Sequence, residues 1–194
     1  MKSIAKGDEP VSFHDWKQQN RTANWDDFSG SDIYQELKKI LIEQQKKICC
    51  YCEIALQQST DAHVEHLKDK GRYPQETFNF YNLLASCQHN DSCGHKKGKA
   101  YFDDMVSPLD ADCQSYFTYT GNGKIIPSDE NDTFAQQTIE LLGLNCKRLQ
   151  DRRKSIIKTL DSSDSNYLQQ SLNNCVDWYG GFFTVIQYLI EKSQ

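Results

Sequence analysis

Residues 47–53 read KICCYCE, three cysteines within four positions, and this cluster constrains the fold more than any other stretch. Cys49-x-x-Cys52 has the spacing of a zinc knuckle, in which a tight turn aims two thiolates at one ion. A tetrahedral site needs two further ligands, normally from a second knuckle. Cys87 and Cys93 in CQHNDSC are the candidates, with five intervening residues where the usual pair has two. A loop can bulge between two ligands, so the stretched pair still works geometrically. His89, inside that loop, is the substitute ligand should one thiol not reach. The competing reading is four buried apolar thiols, a common state of free cysteine. Cys50 reads as a bystander, and Cys113, Cys146 and Cys175 as packing residues.

The compartment bears on the same question. No apolar run approaches the ~20 residues needed to span a bilayer, and MKSIAKGDEPVSFHDW lacks the apolar centre of a signal peptide. The expectation is a cytoplasmic protein without membrane contact. In a reducing compartment eight cysteines favour metal over a disulfide framework.

Net charge is -5, which excludes a globally basic nucleic-acid binder. Charge is uneven, however. Between 145 and 160 Lys147, Arg148, Arg152, Arg153, Lys154 and Lys158 face the single acid Asp151, and HKKGK at 95–99 forms a second cluster. Such patches contact phosphates even on an acidic protein; the plainer reading is a solvated helix face.

Along the chain, residues 1–30 read as a polar, irregular arm with Trp16, Trp25 and Phe28 as anchors. Residues 31–47 place Ile33, Tyr34, Leu37, Ile40 and Leu41 on one stripe behind Ser31, an amphipathic helix with its cap. Residues 48–67 read as short strands around a tight turn, and 74–99 as loop and helix. SYFTYTGNGKIIPS at 115–128 predicts a hairpin turning at Gly121-Asn122-Gly123. Thr133-x-x-Gln136 predicts a capping box opening a helix that ends near Gly143, and Asn145 a cap for the basic helix. DSSDS at 161–165 reads as a linker, and 166–192 as an apolar-periodic segment broken at Gly180-Gly181. The expected organisation is an arm (1–30), a core with knuckles and hairpin (31–128) and a helical region (129–194).

Between the knuckles lie AHVEHLKDKGRYP, NLLASC and CGHKKG. Glu65-His66, Asn82 and His95 have the order and approximate spacing of an HNH nuclease. Phosphodiester hydrolysis needs a base for water, and imidazole titrates near neutral pH. It also needs a cation on the scissile phosphate, and a carboxylate with a second imidazole suits Mg²⁺, Mn²⁺ or a similar ion. The roles that follow are His66 as general base, Glu65 and His95 as metal ligands and Asn82 as the orienting residue. His63 stays open: on a strand it shares a face with Glu65 while His66 points away, so His63 is an alternative ligand. Plain surface histidines are the bland reading.

The longer frame, EQQKKICCYCE, HVEHLKDKGRYP, FNFYNLLASC and CGHKKG followed by TIELLGLNCKRLQDRRKSII at 138–157, resembles the PtuB-like HNH endonucleases of retron and Septu antiphage defence, from the first residue to about 160. Two departures stand out: the expanded second knuckle, and His95 lying two residues after Cys93 instead of directly following it. The resemblance implies an α+β fold, a zinc-stapled ββα-metal core embedded in a mostly helical domain. It implies a structural Zn²⁺ on Cys49, Cys52, Cys87 and Cys93, and a catalytic Mg²⁺ or Mn²⁺. It also implies an ABC-type, PtuA-like ATPase partner that gates the nuclease and, in retrons, association with a reverse transcriptase and its DNA–RNA product. The arm aromatics, with Trp178, Tyr179, Phe182 and Phe183, are candidate docking anchors, against ordinary core packing.

A different class remains: a zinc-stabilised scaffolding subunit whose HNH site is vestigial. A zinc-dependent transcription factor fits less well, since no suitably basic recognition helix follows the thiols. The substrate polymer, DNA or RNA including tRNA, is not legible, because phosphate contacts carry no sequence information directly.

Overall fold

The computed structural model describes residues 1–193 and is α+β, about half helical with two small sheets. In chain order come α1 (Val11–Gln19), α2 (Trp25–Ser29), α3 (Asp32–Gln44), β1 (Ala62–His66), β2 (Leu83–Cys87), α4 (Cys93–Lys97), β3 (Phe117–Tyr119), β4 (Ile125–Pro127), α5 (Thr133–Leu141), α6 (Lys147–Leu160), α7 (Ser165–Asn173), α8 (Cys175–Tyr179) and α9 (Phe183–Lys192). One buried apolar cluster draws on all of the chain, from Phe13 through Leu37, Leu84 and Ile139 to Ile186.

Helix α3 is the predicted one. Ser31 Oγ accepts from Tyr34 N at 3.2 Å, satisfying an otherwise unpaired donor of the first turn, and Leu37, Leu41 and Ile42 are buried. It stops at Gln44, short of the expected Lys47, because Lys46 and Lys47 adopt φ of 57° and 60°. That turn swings the chain into the cysteines.

The arm is not irregular. Asn24 accepts from the amides of Asp26 and Asp27 while Asp27 accepts from Asn24 N, so a capping box starts α2. Phe28 packs on Phe13, Trp16 and Phe78, and Trp16 packs on Phe78 as well. Phe28 is fully buried, which removes it as a docking anchor; Phe182 is removed likewise. Trp178 keeps 49% of its surface exposed.

Segment 74–99 holds a strand as well as loop and helix. β2 pairs antiparallel with β1 in the register Ala62↔Cys87 to His66↔Leu83. All five β2 residues are buried, so its sequence, LLASC, shows no alternation for a pattern to reveal. Gln45, at the end of α3, donates from Nε2 to Ala85 O at 2.8 Å and accepts from Ala85 N at 2.7 Å.

The predicted hairpin is present as β3 and β4. Two caps differ from expectation. Asp132, not Thr133, caps α5 by accepting from Ala135 N. Asn145 does not cap α6; it brackets Ile125, accepting from its N at 2.9 Å and donating to its O at 2.8 Å. Arg153 is buried and donates to the carbonyls of Gly123 and Leu144, so one of the six basic residues holds the hairpin instead of facing water.

The C-terminal helices return to the cysteine turn. Gly181, at φ 106°, lies so close to it that an added Cβ would fall 1.9 Å from Glu53 O. Thr184 donates from N and Oγ1 to the Glu53 carboxylate.

Candidate metal centre and functional site

Three elements deliver the four thiols. The turn after α3 brings Cys49 and Cys52, closed by Cys49 N donating to Ile54 O at 2.9 Å and Glu53 N to Cys49 O at 3.1 Å. Cys87 ends β2, and its amide donates to Cys49 Sγ at 3.3 Å. Cys93 opens α4 at φ 60°, its amide tied to Leu142 O at 2.7 Å.

The four sulfurs all lie within 4.8 Å of one another and all four residues are buried. Cys52 and Cys87 Sγ are 3.9 Å apart; tetrahedral zinc with bonds of ~2.3 Å spaces its sulfurs by about 3.8 Å. Burial opposes ionisation of Cys49, Cys52 and Cys93. Hydrogen bonds from Cys50, Cys52, Cys87 and Cys93 nonetheless pull Cys49 well below the usual thiol value. Burial, then the Cys49 sulfur, pushes Cys52 and Cys93 well above it. Four buried sulfurs this close together are a donor set that suits a structural cation. His89 is exposed, outside a group already complete in sulfur. Cys50, Cys113, Cys146 and Cys175 lie outside it as well.

On β1, alternation puts His63 and Glu65 on one face, with His63 Nε2 3.3 Å from Glu65 Oε2. Helix α4 closes over them: a Cβ on Gly94 would meet Glu65 Oε2 at 2.4 Å and His63 Nε2 at 2.6 Å. The His95 ring lies 4.3 Å from that of His63, and its Nε2 is 2.8 Å from Gln88 Oε1. Burial, then the His63 imidazole, lowers the His95 pKa below the ordinary histidine value. Glu65 is buried; its Oε1 takes Lys97 Nζ at 2.9 Å and Tyr51 OH at 3.3 Å. His63 Nδ1 is buried with no hydrogen-bond partner. Lys97 and Tyr51 escape the sequence reading, though a buried carboxylate calls for a cation and a donor.

His66 stands apart from that cluster. Its Nε2 is 3.0 Å from Thr77 O, and its ring meets Trp25 edge-on at 4.2 Å. Burial is the main cause of its lowered pKa. Asn82 is buried and makes three bonds, accepting from Lys68 N at 2.8 Å and donating to Lys68 O and Glu76 O at 3.0 Å each. It ties down the loop whose next residue, Thr77, holds His66. The structure therefore brings His63, Glu65, His95 and Lys97 together, and Asn82 to the His66 loop. It does not bring the His66 side chain to Glu65. Lys97 links the halves, donating to His66 O at 3.0 Å. Among the described residues only the four cysteines offer ligand atoms all within 4.8 Å.

Helix α6 also serves the thiol centre. Arg148 Nη2 donates to Asp91 Oδ1 at 2.7 Å and Ser92 Oγ at 2.8 Å, bracing the bulge between Cys87 and Cys93. Lys147, Arg152, Lys154 and Lys158 stay exposed. No helix among the described residues is long and apolar enough to cross a membrane.

Fold and site together define an α+β protein stapled by a buried thiol group, with a carboxylate and imidazoles gathered on its small sheet. No protein-family profile matches the chain. A protein of Vibrio cholerae named "Retron Vc95 putative HNH endonuclease" is 32% identical over 177 aligned positions, covering 82% of this chain and 84% of the relative. The Escherichia coli "Retron Ec83 putative HNH endonuclease" is 27% identical over 243 aligned positions, covering 99% and 94%. Septu protein PtuB of Bacillus thuringiensis is 40% identical over 126, covering 60% of this chain and 45% of that protein. The chain belongs to this PtuB-like family of retron HNH endonucleases.

Proposed function

We propose that the chain is a metal-dependent HNH endonuclease that hydrolyses phosphodiester bonds, the nuclease effector of an antiphage defence complex. The observation that carries this reading is the setting of His66. Thr77 O takes the proton on Nε2, which leaves Nδ1 as the basic nitrogen. In that tautomer Nδ1 accepts a proton from water as the water oxygen attacks phosphorus, and the bond to the leaving oxygen breaks. Asn82 acts as a positioning residue by fixing the loop that carries Thr77.

Glu65, His95 and His63 would hold the catalytic divalent ion. Two imidazoles and a carboxylate are a fitting donor set, and His63 Nε2 already faces Glu65 Oε2 at 3.3 Å. Such an ion supplies charge stabilisation at the phosphate and at the leaving oxygen. Lys97 is the counter-charge beside Glu65. A structural zinc on Cys49, Cys52, Cys87 and Cys93 would staple the sheet to α4.

The unpartnered His63 Nδ1 also favours a second arrangement, in which His63 works beside Glu65 and His95, and His66 holds structure. Separate alanine variants at the two histidines discriminate. An ABC-type ATPase partner fits a nuclease that must be gated, and the exposed Tyr167 and Trp178 are its docking candidates. A reverse transcriptase with its DNA–RNA product is a further partner.

The test is cleavage of DNA and of total tRNA by the purified chain, with and without the ATPase, in Mg²⁺ or Mn²⁺. Cutting that is lost in His66→Ala supports the reading and identifies the polymer. Cutting lost only in His63→Ala moves the base to His63. Absence of cutting throughout, with metal and ATPase still bound, favours a scaffolding subunit.

A further inference from the structure

We infer that the groove flanking His66 receives one unpaired nucleobase, so that the chain acts on single-stranded or locally opened nucleic acid. This rests on the nuclease reading above. The groove, about 470 Å³, is bounded by Trp25, Phe78, Lys70, Pro74 and Asp26, a size within the ~300–1,000 Å³ of small-molecule clefts. Thr77 belongs to both places: it lines the groove and its carbonyl holds His66. Trp25 does the same, lining the groove and meeting the His66 ring at 4.2 Å. A base against Trp25 would therefore lie one ring away from the imidazole.

The chemistry of the walls selects a base over a phosphate. Trp25 and Phe78 present aromatic surface, on which any base stacks regardless of sequence. Asp26 would repel a phosphate but accepts from exocyclic amines and ring N–H groups. Lys70 Nζ sits 5.3 Å from the Trp25 ring centroid. An incoming base displaces this ammonium, whose flexible stem lets it follow the phosphate.

The pattern continues beside that loop. Lys68 lies over Tyr73 and Tyr101 at 5.8 and 5.6 Å, and Arg72 over Tyr73 at 5.6 Å. Alternating aromatic faces and cations are the makings of a single-strand path, in which rings take bases and cations take phosphates. A base stacked in a duplex cannot lie face to face on a groove-lining ring without leaving its stack.

The test is fluorescence anisotropy of labelled single-stranded DNA, single-stranded RNA and blunt DNA duplex with the whole chain, without added divalent metal. The variants are Trp25→Leu, which removes the stacking face, and Ala23→Tyr, which fills the groove from its rim. The expected result is a single-strand preference, with each variant weakening single-strand binding about tenfold and leaving duplex binding unchanged. DNA against RNA in the single-strand arms tells which polymer is taken. Melting curves accompany both variants, and Ala23→Tyr carries the test alone if Trp25→Leu does not fold. Duplex bound as tightly as single strand, no binding at all, or indifference of folded variants would overturn the inference. Cleavage by wild type with indifferent variants sinks the groove and leaves the nuclease standing. Single-strand binding that both variants weaken, with no cleavage under any condition, removes the nuclease and keeps the groove.

Discussion

Lys97 Nζ lies 2.9 Å from Glu65 Oε1, and both side chains are withdrawn from solvent. The pair joins α4 to β1 at the point where the candidate site is built. Removing one partner of a buried ion pair leaves an uncompensated charge, at a cost of about 3–5 kcal/mol. Lys97→Met should destabilise the chain by that order, and adding Glu65→Gln should recover most of the loss. Chemical denaturation of the two single variants and the double variant measures it; a double variant no better than Lys97→Met would remove the pair as the cause.

The thiol group makes a prediction about metal. One zinc per chain should co-purify, and Cys52→Ser or Cys87→Ser should lose it together with much of the melting temperature. His89→Ala should keep both, because His89 stands outside the group. Structural zinc carries folding free energy outright, about 10–16 kcal/mol of apparent binding in small peptides, so a strong chelator should lower the melting temperature of wild type as well. Metal analysis with differential scanning calorimetry decides.

Asn82 joins backbone groups of Lys68 and Glu76. Asn82→Ala strands three backbone partners, each worth about 1 kcal/mol net, so a loss of about 2–3 kcal/mol is expected. If the residue positions His66, kcat should fall at least tenfold with KM little changed, measured well below the melting point of the variant. A shift in KM alone would place Asn82 in binding.

Lys6 offers a pH test away from the metal centre. Its ammonium reaches Phe80 O and Leu83 O at 2.5 and 2.6 Å, and burial lowers its pKa from 10.5 to about 7. Between those values the unfolded chain binds a proton that the folded chain has released, so stability from this group rises with pH. Below pH 7 both states are protonated and the contribution is flat. The unfolding free energy of wild type relative to Lys6→Met should climb from pH 7 toward pH 9; a level difference would mean that the carbonyls keep Lys6 charged.

Much of this was legible before folding is considered. Ser31 before a 3.6-residue stripe, a Gly-Asn-Gly turn between apolar runs and the Cys49-x-x-Cys52 turn are local signals, complete within a few residues. β2 left no such signal, because burial on both faces erases the alternation. The caps at 132 and 145 are one-residue matters on which neighbouring side chains compete.

Spacing and periodicity placed four cysteines around a histidine and carboxylate cluster and set His63 beside Glu65. Tertiary structure alone decided that Lys97 neutralises Glu65, that Thr77 holds His66, and that Arg153 is spent on the hairpin. The reason is physical: these are contacts of buried charge and backbone carbonyls between segments 11 to 32 residues apart. Neither spacing nor periodicity records which donor a buried acceptor will find.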